Sequence, residues 1–157
     1  MNAIFPFFKW VDTTWLSRYI NDSKWLFPAI EGVHIVALAL LFGTVIVLNL
    51  RLLGLTMRQK PTSQLAEELS PWTVSSLIII LATGALLFVA EAVKSFYSMP
   101  FRIKMVLLLS AIVFHYGVSS RLLHRDGSVS VIGKFAAVLA IVLWVSVGFA
   151  GRAIGFF

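Results

Sequence analysis

Residues Phe27–Leu50 read FPAIEGVHIVALALLFGTVIVLNL. A helix of this length crosses the roughly 30 Å hydrocarbon core of a bilayer, which takes about 20 apolar residues at about 1.5 Å each. Glu31 and His34 nevertheless stand in its first turns. A charge at the centre of a spanning helix costs about 3 kcal/mol even on the mildest scales, so such residues need partners or a purpose.

Three more apolar runs follow, and spans are expected over about 28–50, 71–91, 101–121 and 132–152. The runs are continuous, not alternating, which excludes the strands of a membrane barrel. Polar connections separate them: Arg51–Ser70 with Pro61, Thr62 and Ser63 as a helix start, the aromatic turn Ser95–Pro100, and Arg121–Ser128 with an Asp126-Gly127 turn signal. Short connections make sequential helices antiparallel. The expected fold class is therefore all-α, an integral membrane four-helix bundle in one domain over 1–157. Residues 1–27 add an N-terminal interfacial amphipathic helix. There Phe8, Val11, Trp15 and Tyr19 recur at spacings of three and four, which lays the rings at headgroup depth. With no basic segment ahead of an unbroken apolar core, this stretch does not read as a signal peptide.

Composition agrees. The 157 residues are 59% hydrophobic and 13% charged, more apolar surface than a soluble domain of this size can hide. The net charge of +6 sits between the hydrophobic runs, facing phosphate headgroups, so the expected partner is the lipid bilayer and not nucleic acid. The basic residues divide so evenly between the two faces that the positive-inside rule gives no orientation. The absence of cysteine excludes disulfides, thiolate metal sites and thiol catalysis. There is no phosphate-binding glycine loop, nucleophile elbow or HExxH.

The helical rise sorts the polar residues by depth. His34 lies roughly 9 Å into the first span and Lys104 roughly 5 Å into the third, which runs the same way. Glu91 and Arg152 close the second and fourth spans at that same face. Glu31, His34, Glu91, Lys94, Arg102, Lys104 and Arg152 thus converge on one side. Taken singly, Lys104, Arg102 and Arg152 read as side chains snorkelling to headgroups; their convergence is what marks a site. His115 lies roughly 21 Å along the third span, near the other face. Two imidazoles sharing one iron stand about 4 Å apart, so a haem joining His34 and His115 is not expected, whereas His34 with Lys104 is allowed. His115 beside Tyr116 reads as an interhelical hydrogen bond, His124 as solvated, and Arg51 and Arg121 as headgroup anchors.

The run His34-Ile-Val-Ala-Leu-Ala-Leu-Leu-Phe-Gly43, with Arg51 further on, resembles the first helix of the small four-span, haem-dependent bacterial protoporphyrinogen oxidases and their copper-resistance D-type relatives. The run Lys104-Met-Val-Leu-Leu-Leu, followed by His115-Tyr116-Gly117 and Arg121-Leu122, is similar to the third helix of those oxidases. That resemblance implies a b-type haem associated with His34 and Lys104. Over most of its length the chain also resembles a group of bacterial membrane proteins that share an FPxIExxH and an LRLLG segment, here Phe27–His34 and Leu50–Gly54.

The function expected first is a membrane redox protein holding haem b near one face, in a bacterial inner membrane. His34 would be an axial ligand and Lys104 the second ligand or a gate. Glu31 would orient His34, and Arg102, Lys94 and Arg152 would pair with the propionates. A quinone in the adjoining lipid would exchange electrons, making any enzyme an oxidoreductase; a second copy of the chain is a further candidate partner. Two alternatives stand beside this. One is copper handling through His34, Met99 and Met105. The other is a proton-linked carrier or non-catalytic subunit using a buried network of Glu31, His34, Glu91 and Lys104.

Overall fold

The computed structural model describes residues 4–123 and 130–154. His124 and the Asp126-Gly127 turn lie outside them. Every regular element among the described residues is helical. Four helices are long and apolar enough to cross a membrane: α3 (Leu26–Leu52), α4 (Thr62–Ala90), the third span Met99–Leu123, and α8 (Val131–Ile154). The third span is a rod of α6 (Met99–Phe114), a π turn (His115–Ser119) and α7 (Ser120–Leu123).

Where the sequence suggests one interfacial helix, the chain forms two, α1 (Phe5–Asp12) and α2 (Trp15–Asp22). Two threonines cause the break. The Thr13 and Thr14 hydroxyls donate to the Trp10 and Val11 carbonyls, and Thr14 Oγ1 then accepts from Ser17 N as the N-cap of α2. Neither helix simply lies on lipid. Phe5 and Phe8 pack on Phe96 at 5.2 and 5.1 Å between ring centroids, and Phe8 meets Phe88 at 5.5 Å. Asn21 Nδ2 donates to the Ala90 carbonyl at 2.9 Å, satisfying an end group of α4. Val11, Ser17 and Ile20 are buried, while Trp10, Trp15, Tyr19 and Trp25 remain exposed in the manner of an interfacial belt.

The spans begin at recognisable caps. Ser23 Oγ accepts from Leu26 N at the head of α3. Ser98 Oγ accepts from Phe101 N ahead of Pro100 in α6, and Ser130 Oγ accepts from Gly133 N in α8. Helix α4 starts at Thr62, behind Pro61 and well before the apolar run from Pro71, so Pro71 falls inside the helix and withdraws one donor from its ladder. Short α5 (Ala92–Tyr97) then carries the aromatic residues that receive α1.

Helix α3 packs most extensively on α4, α6 packs on α8, and α3 against α8 joins the two pairs. One apolar cluster, built on Leu41, Val45, Ile80, Trp144 and Val147, fills the middle; another, on Leu48, Leu52, Leu65 and Leu123, fills the end near the 53–61 connection. Small residues let backbones approach, as in membrane bundles generally: Ala37, Ala111, Ala137 and Ala140 are buried, and a β-carbon on Gly148 would stand 3.0 Å from Phe42 Cζ. Outside this core, Val36, Ile78, Val106, Leu109, Val113, Phe135 and Phe149 are exposed. Helices that stay apolar on their outer faces belong in lipid.

Candidate functional site

His34 is 8% exposed, and α3 turns it toward α4. Its Nδ1 lies 2.8 Å from Thr83 Oγ1. Thr83 has one proton, and its hydroxyl already donates back to the Ile79 carbonyl at 2.6 Å. With that proton committed, Thr83 Oγ1 accepts, so Nδ1 carries the ring proton. The Ile80 carbonyl lies 3.3 Å from the same hydroxyl, a longer contact than the one to Ile79. The geometry therefore assigns the Nδ1–H tautomer and leaves Nε2 as the free lone pair. Gly84 sets the ring's distance from α4: a β-carbon there would come within 3.4 Å of His34 Cε1.

Lys104 is half-buried on α6 and lies along α8, where a β-carbon on Gly151 would stand 3.5 Å from both its Cε and its Nζ. The two residues paired by depth lie at the same end of the bundle, His34 against Gly84 and Lys104 against Gly151.

The other expected members sit apart. Glu31 is exposed, one turn before His34, and Thr83 occupies the orienting position at Nδ1. Arg102 is exposed, donates to the Phe96 carbonyl at 2.7 Å and stands over the Phe96 ring at 5.5 Å, which fastens it to α5. Glu91 pairs with Lys94 at 3.3 Å instead of reaching inward. Arg152 is exposed and lines a cleft of about 250 Å³ with Phe42, Val145, Gly148 and Phe149. The cleft is apolar apart from that guanidinium and opens sideways between α3 and α8; neither His34 nor Lys104 lines it. Arg51, expected at headgroups, instead holds the Lys60 carbonyl through Nε and a terminal nitrogen at 2.9 and 2.7 Å. Met99 and Met105 are both exposed, and no group of three or more His, Asp or Glu suited to a metal occurs among the described residues.

Sequence reasoning missed Thr83, Gly84 and Gly151. Thr83-Gly84 is a polar and small interruption of a long aliphatic run, which is a visible signal. What it serves depends on the α3–α4 register, which no spacing within α4 reveals.

A family model, described as a family of unknown function, DUF6644, matches residues 7–157. The chain belongs to this family. The DUF6644 match takes in both the Phe27–His34 and Leu50–Gly54 segments and nearly all of the aromatic N-terminal helices. No curated protein and no solved structure matches the chain. The oxidase and copper-resistance resemblances accordingly rest on the quoted residues alone.

Proposed function

We propose that the protein is an integral membrane redox protein of a bacterial inner membrane that binds a b-type haem near one face, with His34 Nε2 as an axial ligand. The observation that carries this reading is the buried His34 ring, held at Nδ1 by Thr83 Oγ1 at 2.8 Å, an arrangement that favours a lone pair on Nε2. A histidine fixed by a hydrogen bond on its other nitrogen is how proteins present imidazole to a metal. The residues fit the group in their donor chemistry: imidazole and amine are both nitrogen donors, and Lys104, at the same end of the bundle, would act as second ligand or gate. Arg102, fastened to Phe96, and Arg152, on the separate cleft, stand apart from His34 and are not part of the proposed haem contact. When bound, haem would supply one-electron transfer. The chain's own residues hold the imidazole tautomer, set ring orientation and exclude water with the apolar surroundings of α3 and α4. A quinone dissolved in the lipid is the proposed electron partner. The cleft at Phe42, Gly148 and Phe149 offers an apolar surface open to acyl chains, somewhat smaller than the roughly 300–1,000 Å³ of cofactor pockets.

The alternatives draw less support. Copper handling needs Met99 and Met105, which are exposed. A four-member proton network needs Glu91, which is tied to Lys94, and Glu31, which is exposed.

The absorption spectrum of the detergent-purified protein, expressed with ample haem supply, tests the proposal. A Soret band is expected, lost in His34→Ala and shifted in Lys104→Ala. Absence of the band from the wild-type protein overturns the reading. Loss of the band in His115→Ala but not in His34→Ala would move the ligand to the other face.

A further inference from the structure

The far half of the bundle holds a second polar feature, independent of whether His34 binds haem. Three buried side-chain polar atoms among the described residues have no hydrogen-bond partner: Asn49 Oδ1, His115 Nδ1 and Ser119 Oγ. All three belong to this half, within the last turns of α3 and the π turn of the third span. Buried polar groups in native proteins are nearly always satisfied by protein or by ordered water, so three such atoms at one end call for a partner.

One of the three residues, His115, lines a cavity of about 50 Å³, together with Ala66, Ser70, Thr73 and Val74 of α4 and Tyr116 and Leu123 of the third span, among others. The two helices run antiparallel, so His115 stands opposite Thr73 and Val74, and Leu123 opposite Ala66. The lining spans nine residues on each helix, eight steps of the helix and so about 12 Å along the axis. The cavity is therefore narrow and elongated. It leads from the end nearest the 53–61 connection down to His115, which is itself only 6% exposed. The π turn shapes this wall: Ser120 N bonds the His115 carbonyl, and the widened turn displaces the side chains that follow. A water needs about 10–15 Å³ of such space and two to four polar partners. The volume accommodates a few waters in file, and Ser70, Thr73, Tyr116 and His115 supply the partners.

We propose that this cavity holds water and makes His115 a proton-exchanging group served from the membrane face opposite the His34 site. The His115 ring takes a proton from that water to form imidazolium, leaving hydroxide that the water file carries away, or returns it, with no other reactant. Of the groups facing it, Tyr116 is the other titratable side chain lining the cavity; α3 contributes Leu48, α4 the hydroxyls of Ser70 and Thr73, and α8 the Trp144 ring, edge-on at 6.5 Å. No Asp, Glu, Lys or Arg lines it. Water is thus the route by which protons reach the ring.

Water-edited NMR on the full chain, labelled with ring-15N histidine in lipid bilayers, tests this. The His115 nitrogens, assigned by their loss in His115→Gln, are expected to receive magnetisation from water. Ala66→Phe fills the cavity and should cut that transfer several-fold while the His34 signals stay in place. Ser70→Leu narrows the outer opening with less strain and should act in the same direction, keeping the test open if Ala66→Phe does not fold. Transfer to His115 from acyl-chain protons alone overturns the proposal. So does water transfer that persists undiminished in a folded, filled variant.

Discussion

Thr83 illustrates how a single hydroxyl can matter more to chemistry than to stability. It ties α4 to α3 through one interhelical bond to His34 at 2.8 Å, and such bonds in membrane bundles contribute on average about 0.6 kcal/mol and at most about 1.7. Thr83→Val keeps the shape and removes the acceptor. It should therefore lower thermal stability in detergent by only about 1 kcal/mol while freeing the ring to rotate and exchange tautomers. The expected result is a folded protein whose His34 ring-nitrogen NMR signals lose the Nδ1–H pattern, and whose haem band, if present, shifts. Unchanged ring signals would mean that Thr83 does not set the tautomer. At this scale the sequence was partly legible. His34 and Lys104 could be placed at the same end of the bundle because depth in a helix follows from counting residues. Thr83, Gly84 and Gly151 could not be read as their neighbours, because which face of α4 or α8 meets them depends on helix rotation. Glu31 was over-read: three residues from His34 gives a shared side of the helix, yet α4 approaches from the flank that carries His34 and leaves Glu31 exposed.

The LRLLG segment shows a turn whose residues each have a separate task. Leu52 is buried in the second apolar cluster, and Gly54 sits at φ +77°, where a side chain is strained. Gly54 N returns to the Arg51 carbonyl and Leu55 N to the Leu50 carbonyl, closing α3 with a left-handed residue. The Arg51 side chain then clamps Lys60 before α4 begins, and Arg58 Nε donates to the Gly54 carbonyl. Gly54→Ala should cost about 1–2 kcal/mol, the usual penalty for a β-carbon in this conformation. A drop in melting temperature should accompany it, together with faster proteolysis within residues 55–60. Equal melting temperatures would show that the turn relaxes into another form. The N-terminal segment taught the opposite lesson. Its helical spacing was readable, but the break at Thr13-Thr14 was not, because two hydroxyls compete with the helix for the same carbonyls. Its docking on α5 is a tertiary matter, set by Phe96 and Phe88 receiving Phe5 and Phe8.

The bundle as a whole followed from hydropathy more directly than any of its parts, because lipid leaves a chain so few ways to satisfy its backbone. Every peptide group in the hydrocarbon must bond within its own segment or a closed barrel, so four continuous apolar runs can only be four helices. That constraint fixes the number of spans. It does not fix their rotation or the widened turn at His115–Ser119, which depends on how the third span meets α4 and α8. The same logic fixes sidedness. With four spans, α2 and the Ser98 turn share one face, and the 53–61 connection lies on the other. The chain has no cysteine, so one introduced thiol is a unique reporter. Asp22, Met99 and Gln59 are all exposed and make suitable positions. Asp22→Cys and Met99→Cys should react alike with a membrane-impermeant maleimide applied to intact cells, and Gln59→Cys should show the opposite accessibility, reversing only when the membrane is opened. Labelling of Gln59→Cys from the same side as Asp22→Cys would mean that α3 does not cross, and the two-sided arrangement of His34 and His115 would fall with it.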